Sequence, residues 1–161
     1  MKGNLADQLK SSMMIGSNKV FPLVKQEQIK KGTVVYLTLT EDEGLVLTQG
    51  YDSRNKFITI LNELPDEYII GSLLINTDPN LSTTLIGDCQ YPLKASEYPD
   101  FLDYMSWLDC SQIFKIPKAK VMKGGYCGEL KEQDMGLVWE CLQNTKTISK
   151  KDKIRYGILD K

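Results

Sequence analysis

The chain contains no histidine. That removes the Ser-His-Asp triad, the Cys-His pair, histidine metal ligands and the paired-histidine route to RNA cleavage. Acid–base or nucleophilic chemistry falls to Arg, Lys, Asp, Glu, Tyr, Ser, Thr or Cys. Arginine is scarce as well: of 20 basic residues only Arg54 and Arg155 carry a guanidinium. The four cysteines, Cys89, Cys110, Cys127 and Cys141, include no closely spaced pair, so reduced and mostly buried thiols are expected rather than a zinc site. Long apolar runs are missing too. The most apolar stretch, residues 68–75, is far too short to span a bilayer, and residues 1–5 lack the apolar core of a signal peptide. A cytoplasmic protein with no membrane partner is therefore expected. A phosphate-cradling loop is also lacking. Residues 123–128 are glycine-rich but out of order for one, and read as a flexible connection before a tail helix. No cofactor and no metal is expected.

What is present fits one α+β domain. The 161 residues are 42% hydrophobic and 25% charged, enough to bury a real core. A net charge of -1 argues against non-specific nucleic-acid binding by the whole surface and leaves room only for local basic patches. Lysines gather at residues 25–31, 115–123 and 146–155. Each run reads first as a solvated face, and two of them meeting would make an RNA-length groove. The acidic groups at 41–43, and Asp100 with Asp103, read as solvated surface charge.

Hydrophobic periodicity divides the chain. Leu5, Leu9 and Met13 recur at four-residue spacing and predict a helical lead broken at residues 16–18. Residues 33–39, 56–61 and 68–75 are rich in β-branched and aromatic residues and predict strands. Residues 107–116 predict one or two closing strands. Residues 45–48 read as a short strand or an extended arm, and 78–88 as loop. Several short strands at close spacing suggest a small antiparallel barrel or a strongly bent sheet. After Leu130, Met135, Val138, Cys141 and Leu142 fall at helical spacing, and Ser149 reads as the cap of a last helix ended by Gly157.

Residues 52–56 concentrate carboxylate, hydroxyl, guanidinium, amide and ammonium groups at the mouth of a predicted strand. By composition alone this is a polar hairpin turn. A planar, permanently charged arginine is nonetheless well suited to grip a phosphate.

Segment order adds a resemblance. Residues 32–37 read Gly-Thr-Val-Val-Tyr-Leu, residues 106–121 begin Ser-Trp-Leu-Asp-Cys-Ser-Gln-Ile-Phe-Lys-Ile, and residues 128–142 begin Gly-Glu-Leu-Lys-Glu-Gln-Asp-Met. Together they resemble the MazF/PemK toxin family over roughly residues 30–142. The resemblance implies an SH3-like antiparallel β-barrel with appended C-terminal helices, placed over residues 30–161; the helical extension at 1–29, expected from its apolar spacing, lies outside the match. It implies a homodimer, inhibited by an antitoxin protein, that cuts single-stranded RNA without a metal by attack of the ribose 2′-hydroxyl. Arg54 and Thr77 fall at the family's catalytic positions, and Ser53 and Lys56 are the neighbouring candidates for substrate binding. The sequence departs from the family at Phe114, where an arginine is usual, at Asn55, where proline is usual, and in a longer segment at 40–53. These departures keep a second reading open: a non-catalytic SH3-like barrel that binds protein or nucleic acid.

Overall fold

The computed structural model describes residues 19–161 in full and residues 13–16 by their backbone. The chain opens on an antiparallel pair, β1 (Met13–Gly16) and β2 (Lys19–Pro22), in which Met13 faces Pro22. Met13 thus lies in a strand, not at the end of a helical lead. Leu5 and Leu9 lie outside the described residues.

Seven further strands form one antiparallel sheet: β3 (Thr33–Leu39), β4 (Arg54–Leu64), β5 (Ile69–Asn76), β6 (Gln90–Leu93), β7 (Ser106–Asp109), β8 (Phe114–Pro117) and β9 (Gly125–Glu129). The order is β6-β7-β5-β4-β3-β9. One edge of β5 is divided: its last residues, Ile75 and Asn76, pair with β7, while Ile69 to Ser72 pair with β8. Among the described residues β6 and β9 do not pair with each other, so the sheet is open and the expected barrel closure is not made. β9 has β3 on one side and meets the entering chain beyond it at the bridge between Leu23 and Gly125.

The sheet is covered on both faces, which is why its central strands are almost continuously apolar. Val35, Leu37 and Leu39 of β3 join Ile58, Ile60, Ile70, Leu74, Phe114 and Ile116 in one core. Val34, Leu61, Leu73, Ile75 and Leu108 join the tail helix in the other. A register shift between Ile60 and Asn62 bends the β4–β5 hairpin.

Four α-helices are described: α1 (Thr84–Gly87), α2 (Lys118–Val121), α3 (Glu132–Asn144) and α4 (Lys150–Arg155). α3 buries Met135, Val138 and Leu142, the face expected from their spacing. Ser149 caps α4 by accepting from the Asp152 amide at 3.1 Å. Lys153, buried in α4, donates to the carbonyls of Gln143 at 3.0 Å and Thr145 at 2.5 Å, satisfying the C-terminal end of α3. No helix of the described residues is long and apolar enough to cross a membrane.

Three further expectations are corrected. The glycine-rich stretch is not a flexible connection, because Gly125–Glu129 pairs with β3 as β9. The loop at 78–88 contains α1, capped by Thr83. The acidic group at 41–43 is not simply solvated: Glu43 is buried, accepts from the Thr40 amide at 2.9 Å and pairs with Lys120 at 2.5 Å. Burial pushes the Glu43 carboxyl up, but these partners outweigh it and hold it below the usual carboxylate range.

Candidate functional site

The β4–β5 hairpin decides where the candidate residues fall. In its register Phe57 faces Ile75, so the first residues of β4 lie beside the residues that end and follow β5. Arg54 is the first residue of β4 rather than part of a loop, and Thr77 is the residue just after β5. Together with Lys56 they line one open cleft of about 240 Å³. Its other walls are Tyr36, Phe57 and Ile75 from the sheet and the segment 101–106 crossing above them.

The floor is aromatic. Phe57 lies 4.8 Å from Tyr36 and 5.6 Å from Phe101, and Phe101 lies 5.6 Å from Tyr98 (centroid to centroid). Tyr98 in turn donates to Asp134 at the start of α3, whose other oxygen accepts from Tyr91 at 2.6 Å. The crossing segment is thereby tied to the tail helix.

The charge in the cleft is mainly positive. Arg54 is exposed and no ion pair among the described residues occupies it. The other arginine, Arg155, is held by Glu67 elsewhere. Asp103, the acidic wall residue, pairs with Lys19 at 3.2 Å. Lys56 is only 8% exposed and donates its ammonium to the side-chain oxygen of Asn76. Burial first, and the Arg54 charge second, push the Lys56 ammonium down to about 8. A lysine in that range exchanges its proton near neutral pH, which an exposed lysine does not.

Ser53 is not part of this cleft. It lines a neighbouring cavity of about 270 Å³ with Leu47, Thr48, Tyr51 and Arg54, so that Arg54 stands on the ridge between the two. Phe114 is buried in the core and packs near the position of Gly44, which turns the chain at a φ of 92°. Of the lysine runs, Lys118 pairs with Glu63 at 2.5 Å and Lys120 with Glu43, so part of that positive charge is neutralised within the fold.

Sequence reasoning passed over Asn76 and the wall at 101–106. Counting the hairpin back from the turn at 65–67 would set Thr77 opposite Lys56; the register shift between Ile60 and Asn62 brings Asn76 there instead. The wall was hidden as well, because residues 94–105 carry no periodic signal. No protein-family model matches the chain, and no curated protein matches it.

Proposed function

We propose that the chain is a toxin-like, metal-independent endoribonuclease that cleaves single-stranded RNA. The observation that supports it most is the shared cleft of Arg54, Lys56 and Thr77. In this reading the scissile phosphate sits against Arg54, whose guanidinium neutralises charge developing on the pentacoordinate phosphorus. The Thr77 hydroxyl donates to a phosphate oxygen. The 2′-oxygen bonds to phosphorus, the bond from phosphorus to the 5′-oxygen breaks, and the products are a cyclic phosphate and a 5′-hydroxyl. Neutral Lys56 accepts the 2′-proton, and the ammonium so formed returns it, directly or through water, to the leaving 5′-oxygen. Tyr36 and Tyr104 offer aromatic surface for unstacked bases. Ser53, in the adjoining cavity, contacts the next nucleotide. The reading carries with it an SH3-like ancestry for the bent sheet, a homodimer, a cytoplasmic location and an antitoxin protein that fills the cleft.

One observation favours the second reading, a non-catalytic binding module of SH3-like type. Phe114, at a position where the family resemblance leads one to expect arginine, is buried in the core and adds no charge to the cleft.

The test is incubation of the purified chain with single-stranded RNA in chelator, with fragment ends mapped, alongside Arg54→Ala and Thr77→Ala. New 5′-hydroxyl ends that fall by roughly 10²–10³-fold in Arg54→Ala support the nuclease. Intact RNA retained by a folded chain supports the binding module.

A further inference from the structure

Three of the four cysteines, far apart in sequence, converge beneath α3. Cys89 follows α1 and Cys110 follows β7, and the Cys110 amide donates to the Cys89 carbonyl at 2.9 Å, which holds these two side by side. Cys141 lies half-buried on α3. Cys89 also contacts the Thr145 hydroxyl at 3.0 Å. Cys89 and Cys141 line one cavity of about 280 Å³ with Asp88, Thr145 and Lys146, whereas Cys110 is fully buried and does not line it. The neighbouring Cys110 thiol, the largest influence, lowers the Cys141 thiol to about 7, and Cys141 in turn raises Cys110. Among the described residues no group of Cys, Asp or Glu is arranged to hold a metal ion.

We propose that Cys141 and Cys89, which line this cavity together, form a peroxide-oxidisable thiol pair that opens to solvent through it. The Cys141 thiolate attacks one oxygen of a hydroperoxide. A sulfur–oxygen bond forms, the oxygen–oxygen bond breaks, and the departing oxygen leaves as water or an alcohol once protonated. Cys141 is oxidised to a sulfenic acid and the peroxide is reduced. The Cys89 sulfur then attacks the Cys141 sulfur, the sulfur–oxygen bond breaks, and hydroxide leaves as water with the Cys89 proton. A dithiol returns the disulfide to two thiols. Cys127, buried among apolar groups with its thiol pushed up, takes no part. The inference does not depend on the RNA reading.

The test treats the reduced full chain with dilute hydrogen peroxide under native conditions, quenches, alkylates remaining thiols after unfolding and maps peptides by mass. A Cys89–Cys141 cross-linked peptide lacking two hydrogens is expected, with Cys127 still alkylated. In Cys89→Ser, Cys141 is expected to stop at the sulfenic acid and to be captured by a diketone probe. In Cys110→Ala, Cys141 oxidation is expected to slow by roughly tenfold. The wild-type arm needs no variant to fold. Oxidation of Cys141 no faster than that of Cys127 overturns the proposal. A cross-link from Cys141 to Cys110 instead overturns the assignment of Cys89.

Discussion

The ring of Tyr156 lies against the backbone of Gly71, so close that a β-carbon there would stand 2.5 Å from ring atoms Cδ1 and Cε1. Gly71 sits in β5 opposite Lys115 of β8, and Tyr156 ends α4 fully buried, so this contact fastens the tail to the sheet. Gly71→Ala forces the ring or the strand to shift and is expected to destabilise the fold by about 1–3 kcal/mol in chemical denaturation.

Tyr156 has a buried hydroxyl with no hydrogen-bond partner among the described residues. Removing it leaves the ring contact intact. Tyr156→Phe is expected to stabilise the protein by about 1 kcal/mol, read as a higher denaturation midpoint with an unchanged slope.

Lys56 makes stability rise in mild alkali. Its folded value of about 8 lies below the 10.5 of a free lysine, so between those values the unfolded chain binds more protons than the folded one. Below pH 8 the cost of burying the ammonium is fully present, and it is relieved as pH rises towards 10.5. Lys56→Met is expected to flatten this rise in denaturation curves taken at pH 7.5 and 10. If Lys56 is the proton acceptor in RNA cleavage, the wild-type rate also climbs through pH 8.

Glu43 does the reverse at the acid end. Its folded carboxyl is held below the free value of 4.5, so its contribution is present above that pH and is lost as pH falls through the folded value. Glu43→Gln is expected to lower stability at pH 7, and the difference from wild type is expected to shrink as pH falls below 4.5.

Asp134 accepts from two phenols, and Tyr91 and Tyr98 are both pushed above the ordinary tyrosine range, by burial first and by this carboxylate second. Asp134→Ala is expected to destabilise by about 2–4 kcal/mol, and alkaline absorbance titration is expected to show phenols ionising at lower pH. Because Tyr98 leads to Phe101, the same substitution loosens the wall of the cleft.

Much of this architecture was legible where local pattern and tertiary role agree. Thr33 to Leu39, and the apolar run after Tyr68, are strands because β-branched and apolar residues suit a sheet covered on both faces. α3 was readable from the spacing of Met135, Val138 and Leu142. β9 was not: glycines at 124, 125 and 128 carry no strand propensity, and the segment is extended because β3 offers it a free edge. β6 was hidden by Pro92, tolerated at the edge of the sheet. Arg54 and Thr77 were nominated through segment order. The burial of Lys56 and its bond to Asn76 depend on the cleft being assembled, which no local signal encodes.

The pairing of β3 with β9 also has a consequence for biosynthesis. Val34 and Val35 on an early strand are hydrogen-bonded neighbours of Gly128 and Tyr126, more than ninety positions later. While the chain is being synthesised, β3 and β4 can form their hairpin, but the outer edge of β3 stays uncovered until Gly125–Glu129 has been made. A nascent chain stalled before β9 presents an unpaired, apolar strand edge to its neighbours on the same message, the condition under which strands from different chains pair with one another.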